Sequence, residues 1–263
     1  MRTVLAPIRW LYRYSPGILT LVPLLVLWEI VGQLDIIFVL PPLTEVAAAG
    51  WELIVSGTIA ENASGTLYAL GVGLGISVIF GVGLGIVMAR YRLVDEVLGI
   101  YVDVLMSAPV SAIVPILVLI FGTGGESIIA AVVLFCFFVI TVNTYSGVKE
   151  VDNQLIEMAR SFSVPEHLLL RRVVLPGALP LMLTGLRMGI GRSVNGAIFG
   201  EMLVSVVGLG GLLILYGSRF QFERLDALIL MIVGTAVLLM TFFEWVERRL
   251  LAGRFESGDE REL

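Results

Sequence analysis

The chain has 263 residues, 58% of them hydrophobic and only 15% charged. A soluble globular domain carries about 25% charged residues, so this chain cannot cover its surface with polar groups and needs lipid as part of its solvent. One cysteine, Cys136, and one histidine, His167, exclude a disulfide framework and a His/Cys metal site, and the formal charge of −5 gives no basic surface for nucleic acid.

Residues 1–17 read as a cytoplasmic N-terminal tail, residues 18–250 as one transmembrane domain, and residues 251–263 as an acidic cytoplasmic tail. The last stretch, Phe255 to Leu263, holds four acids in nine residues and reads as solvated and disordered. A spanning helix needs about 20 mostly apolar residues. Six segments qualify, in chain order Ile18 to Gln33, Thr66 to Ala89, Val97 to Phe121, Ser127 to Val148, Leu179 to Val206 and Leu225 to Val246. The first contains Pro23 and is interrupted near its end by Glu29. It lacks a small-x-small cleavage site and reads as a retained span rather than a signal peptide. The second carries Gly71/Gly75 and Gly81/Gly85, small-xxx-small pairs that let helices approach closely in lipid. In the third, Pro109 and Pro115 are predicted to kink the helix. Cys136, in the fourth, reads as an unreactive lipid- or core-facing residue.

Basic residues set the orientation. Arg2, Arg9, Arg13, Arg90, Arg92, Lys149, Arg160, Arg171, Arg172, Arg248, Arg249, Arg254 and Arg261 fall in alternate connections, thirteen against Arg219 and Arg224 in the others. With six spans this predicts a multi-pass plasma-membrane protein with both termini cytoplasmic and residues 34–64 and 207–224 outside.

The connection from Lys149 to Leu179 is too polar to span and too patterned for a linker. Asp152 is a predicted helix N-cap. Leu155, Met158, Ala159 and Phe162 fall on one helical face, with Asn153, Glu157 and Arg160 off it. Ser163-Val164-Pro165-Glu166 has the capping-box pattern, with Ser163 as the N-cap of a second short helix. Glycine at 163 would then be tolerated at a few tenths of a kcal/mol. Pro176 and Pro180 are predicted to separate that helix from the fifth span. The pattern describes a cytoplasmic helix–turn–helix. It is compatible with a helix pair resting on lipid headgroups as well as with a docking element.

Glu157-Met158-Ala159, then Ser163, then Val173, then Leu175-Pro176 resemble the EAA motif of binding-protein-dependent ABC permeases, with its spacing kept from Glu157 to Pro176. Met158 and Ser163 depart from the motif, the latter replacing the glycine that makes a sharp turn. Leu40-Pro41-Pro42, Thr184-Gly185-Leu186-Arg187, Glu201-Met202-Leu203 and Gly208-Leu209-Gly210 are similar to the branch serving nitrate, sulfonate and taurine. The resemblance covers residues 36 to 250. It implies an all-α type I ABC importer transmembrane fold of about six spans with a cytoplasmic coupling loop at 152–176. That loop, through Glu157, Met158, Ala159, Ser163, Val164, Pro165, Glu166, His167, Leu175 and Pro176, would couple to a separate ATPase dimer that binds ATP and Mg. The other implied partners are a second permease copy, identical or paralogous, and an extracytoplasmic substrate-binding protein. The chain itself is expected to be non-catalytic, with no cofactor or metal. Independently of the resemblance, its lone lysine, Lys149, lies in no Walker A pattern.

In the fifth span Thr184, Arg187, Gly191 and Asn195 share a face with Arg192 at its edge. Arg187, near the cytoplasmic end, either snorkels or joins a pathway, whereas the deeper Arg192, with Asn195 a turn beyond, marks either a pathway for a small anion or a structural ion pair. Glu201 lies off that face and reads as a gate or packing contact. An ion-gradient-driven carrier or channel is the rival reading, although no internal repeat is evident. An intramembrane protease is disfavoured, because His167 is predicted outside the membrane and no Gly-x-Gly-Asp occurs.

Overall fold

The structure, a computed structural model, describes residues 16–204 and 208–259. The N-terminal tail up to residue 15, residues 205–207 at the end of the fifth predicted span, and residues 260–263 lie outside the described residues. Every described element is a helix: α1 (Pro16–Gln33), α2 (Leu43–Val55), α3 (Thr58–Arg90), α4 (Arg92–Ser107), α5 (Val110–Phe121), α6 (Gly125–Lys149), α7 (Asn153–Ser161), α8 (Glu166–Leu169), a π turn (Leu170–Val174), α9 (Leu175–Val204), α10 (Gly208–Ser218) and α11 (Phe222–Asp259).

Among the described residues four helices are long and apolar enough to cross a membrane: α3, the continuous run Glu166–Val204, α6 and α11. The third predicted span is not one kinked helix. It is broken into α4 and α5, bent by 104°, and counts as a fifth span only if the pair is taken together. Ala108, ahead of Pro109, is extended with ψ 146°, as the steric demand of the proline ring requires. Pro115 leaves α5 unbroken. The expected six is therefore four to five. The first segment contributes α1, whose apolar stretch Leu21–Gln33 is short of a span. Its Glu29 has a local purpose: the carboxylate accepts from the Thr44 amide and hydroxyl, both at 3.0 Å, and so caps α2 from outside. Likewise α11 continues through Asp259, into the stretch expected to be a disordered tail.

The chain forms two compact units, one of residues up to Glu61 with Leu212–Ile232, the other of Asn62–Gly211 with the remainder of α11. In the first unit, Trp28 Nε1 donates to the Pro41 carbonyl at 3.0 Å. Gly32 leaves room for the Pro41–Pro42 backbone, which any Cβ would meet at 2.6 Å. Buried Val46, Ala49 and Leu53 form the inner face of α2, and Arg224 pairs with Glu52 at 2.9 Å.

The second unit is organised around α6, which lies between two helices with small-residue faces. On α3 the buried positions Ala69, Gly73, Ser77, Gly81 and Gly85 recur every four residues. A Cβ at Gly73 would lie 2.6 Å from Val132, and one at Gly85 2.6 Å from the Thr141 carbonyl. Gly81/Gly85 thus packs as expected, whereas Gly71 and Gly75 face open space. Buried Gly185, Gly189, Ser193, Gly196 and Gly200 line the facing side of α9. There a Cβ at Gly196 would approach Val132 Cα to 2.9 Å. Cys136 is fully buried between them and donates to Val132 O at 3.0 Å.

This geometry separates glycines two residues apart. Gly85→Leu should destabilise the purified protein by at least about 1–3 kcal/mol through overpacking, whereas Gly83→Leu, facing open space, should leave its thermal midpoint in detergent nearly unchanged. Equal effects would contradict the packing.

Candidate functional site: the loop between α6 and α9

Three short elements fold the 152–176 connection into a unit with its own core. Asp152 caps α7 as expected, accepting from the Gln154 amide at 2.8 Å. Val151, Ala159, Leu169, Val174 and Ala178 form a buried cluster, joined by Val148, Ile156, Val164, Leu170, Val173 and Met182. Since Val148 belongs to α6 and Ala178 and Met182 to α9, the loop is packed onto the ends of both helices.

The turn differs from the expected one in its chemistry. Ser163 is not an N-cap: the residue preceding α8 is Pro165, and no side-chain cap forms. Ser163 instead ends α7 in the left-handed region, φ 54°. Its amide donates to Arg160 O at 2.8 Å, and the Val164 amide reaches back to Ala159 O at 3.2 Å. These are the two bonds of a Schellman motif, completed by Val164 against the Ala159 cluster. Position 163 therefore uses the backbone geometry that glycine adopts most readily.

Nor do Pro176 and Pro180 break the chain. The helix runs on through the π turn Leu170–Val174 into α9. In a regular α-helix the Pro176 ring would meet the carbonyl of Arg172; the wider π turn lies where that clash would fall.

The expected apolar face of α7 points mostly outward. Only Ala159 is buried, and Ile156 joins it inside. Leu155, Met158 and Phe162 are 48%, 55% and 76% exposed, a ridge of apolar side chains on a small, packed element. Glu157 and His167 are exposed and have no ion pair among the described residues. Val164, Leu175 and Pro176 are half-buried, and Pro165 is exposed. Glu166 turns toward α3: its carboxylate accepts from Arg90 and lies 3.3 Å from Arg160.

The four pathway candidates on α9 do not converge. The Thr184 hydroxyl donates to Pro180 O at 3.0 Å. Arg187 faces α11, with Glu247 at 3.9 Å, an ion pair in place of the expected snorkelling or pathway role. Gly191 also faces α11, at Met240. Arg192 and Asn195 are exposed and share a helical stripe with Met188 and Phe199. Glu201 is a packing contact. Only 1% exposed, it accepts from the Thr66 hydroxyl at 2.6 Å and the Gly210 amide at 2.8 Å, and the Leu209 amide donates to Thr66 Oγ1 at 3.2 Å. The carboxylate thus holds the N-terminus of α10, and position 208 requires glycine, since its φ is 85° and any Cβ there would strike the carboxylate. No cluster of three or more potential metal-binding side chains occurs among the described residues.

The family model of the binding-protein-dependent transport system inner membrane component matches residues 81–252. The chain belongs to this family. Among its relatives, the taurine transport system permease protein TauC of Escherichia coli is 30% identical, covering 88% of this chain and 86% of its own. The putative aliphatic sulfonates transport permease protein SsuC of Bacillus subtilis is 28% identical over 94% and 91%. The formylaminopyrimidine transport permease protein ThiX of Halalkalibacterium halodurans is 33% identical over 77% and 79%. Two solved structures share the fold. The MetNI methionine ABC transporter in inward-facing conformations has a TM-score of 0.60 at 19% identity, covering 74% of this chain and 95% of that one. An amino acid ABC transporter with histidines has a TM-score of 0.60 at 16% identity, covering 76% and 95%. The protein is thus a multi-pass ABC importer permease, and the carrier or channel alternative falls away. The family match takes in the α6–α9 packing and the loop of this permease, and Glu201 with the start of α10, but not Thr66.

The turn at 163 supplies a test on the permease alone. A non-glycine residue in the left-handed region costs about 1–2 kcal/mol, partly offset by the greater unfolded-state entropy of glycine, about 0.5–1 kcal/mol. Ser163→Gly should therefore stabilise the loop slightly, by about 0.5–1 kcal/mol, raising amide protection in α7. Ser163→Val should lower it, since a β-branched residue resists this conformation. Lowered protection in Ser163→Gly, the small loss that replacing an N-cap serine brings, would restore the N-cap reading.

Proposed function

We propose that this permease forms the membrane path of an ATP-driven importer for a small organic anion of the sulfonate or taurine kind, and that the 152–176 loop docks on a separate ATPase subunit, which binds the ATP and Mg. The observation that carries the docking reading is the exposed ridge Leu155, Met158 and Phe162, beside exposed Glu157, on an element whose opposite face is packed. A slack linker would absorb an applied displacement; a capped loop with its own core passes it to α6 and α9. Fixed apolar anchors flanked by a charge are also the composition of an interface centre. Met158, Glu157 and His167 face the partner, Ala159, Val164, Leu175 and Pro176 hold the loop's shape, and Ser163 and Pro165 set its turn.

One loop per chain, against an ATPase dimer with two equivalent sites, implies two permease copies, most simply identical. The asymmetry of the basic residues supports a cytoplasmic loop and cytoplasmic termini, with an extracytoplasmic binding protein delivering substrate on the opposite side. The relatives named for taurine and sulfonates favour an anion, and exposed Arg192 and Asn195 on α9 are the side chains proposed to meet it.

The test uses the reconstituted transporter with its ATPase and binding protein. Glu157→Lys combined with Phe162→Asp should weaken ATPase association by at least about tenfold, since truncated interface anchors cost about 2 kcal/mol or more, with insertion unchanged. Arg192→Ala should lower uptake while leaving ATPase association intact. Full association and stimulation in the double variant would overturn the docking assignment; normal uptake in Arg192→Ala would return that residue to a surface role.

A further inference from the structure

The corner between α3 and α4 is held to the rest of the cytoplasmic end by two ion clusters of opposite sense. On one side Arg90, in the last turn of α3, donates to Glu166 of α8, which also attracts Arg160 at 3.3 Å. On the other, Asp95 in the first turn of α4 accepts from the Tyr145 hydroxyl at 2.8 Å and lies 3.6 Å from Lys149, both at the end of α6. Lys149 in turn lies 5.4 Å from the Tyr145 ring centre. Each charge suits its helix end: cations at the C-termini of α3, α6 and α7, acids at the starts of α4 and α8. Beneath these pairs the corner and the loop do not pack closely. A cavity of about 200 Å³ lies between them, lined by Ala89, Val148, Ile156 and Leu170 among others. Across this cavity a charged pair, Arg90 with Glu166, joins the corner to the loop, and Asp95 joins it to the end of α6, onto which the loop packs.

We propose that these two clusters form a clamp that makes the α3–α4 corner follow the loop, so that a displacement of the loop reaches the broken α4–α5 helix as well as α6 and α9. The proposal rests on the docking reading and gives Glu166 an inward role within it. Glu166 is a positioning residue for the corner, not a contact to the ATPase. The 104° break between α4 and α5 is the point at which a moved corner swings α4 without bending a continuous span. The pairs are 25–56% exposed, and such pairs add little to stability. Removing them therefore leaves the fold and changes the transmission.

The experiment compares Glu166→Gln, Arg90→Gln and their double variant in the reconstituted transporter, measuring ATPase association, ATP hydrolysis and uptake separately. The clamp predicts unchanged ATPase association and uptake per ATP lowered about two- to fivefold in each single variant, the size an exposed pair can supply. The double variant should be no worse than either single one, because all three break the same contact. Asp95→Asn reads the second prong independently and should lower the same ratio, which keeps the test open if the first pair of variants inserts poorly. Unchanged uptake per ATP, or strictly additive losses at 90 and 166, overturns the clamp. Loss of ATPase association in Glu166→Gln overturns it as well, by making Glu166 a docking residue. The Glu157→Lys, Phe162→Asp variant separates the two ideas: if it keeps full association, the docking reading has failed, whereas if it loses association and the clamp variants change nothing, only the clamp has.

Discussion

The close approach of α3 and α9 to α6 is the constraint on which the rest of this permease depends. In lipid, helices gain nothing by hiding apolar surface from water, so association relies on van der Waals contact, and contact at backbone distance requires small residues. Here the requirement is met twice, by Ala69, Gly73, Ser77, Gly81 and Gly85 on one side of α6 and by Gly185, Gly189, Ser193, Gly196 and Gly200 on the other. Val132 and Ile140 touch both. Because α6 leads into the loop and α9 leads out of it, this three-helix packing fixes the two ends between which the loop is held.

From that base the loop acquires shape by local means. Asp152 starts α7, Ser163 ends it in a left-handed turn, and a cluster around Ala159 and Leu169 closes it onto α6 and α9. The π turn is what lets one unbroken helix join the loop to the membrane despite Pro176. A stiff joint of this kind transmits displacement. At the other end of α9 a buried carboxylate, Glu201, performs a comparable task by holding the start of α10 to Thr66. Both junctions pin a helix terminus, where unsatisfied backbone groups give a side chain something to grip.

Much of this was legible in the chain itself, wherever the physics is local or periodic. Apolar length located the spans of α3, α6, α9 and α11 but overcounted at α1, Asp152 announced a cap, and the spacing from Glu157 to Pro176 identified the family. Features set by distant partners were not legible. Which of the glycines on α3 packs depends on the rotation of the helix, so Gly71/Gly75 looked equivalent to Gly81/Gly85. Ser163 followed by Glu166 satisfies a capping box on paper, but Glu166 is drawn to Arg90, 76 residues away, and the serine is left to the turn. The apolar stripe on α7 was legible as a stripe, but its direction was not, since an outward-facing and an inward-facing stripe follow the same helical period. The sharp break at Pro109 and the uninterrupted helices through Pro115, Pro176 and Pro180 show that a proline's effect is set by its packing and not by its presence alone.

The central claim is that the outward ridge of a rigid α7 is where the ATPase binds. Hydrogen exchange of the reconstituted permease, with and without its ATPase subunit, tests it directly. Binding should slow exchange of the amides of residues 153–163, which have exposed surface to lose, while α6 and the small-residue face of α9 stay as they were. Protection elsewhere with none across α7 would contradict the claim.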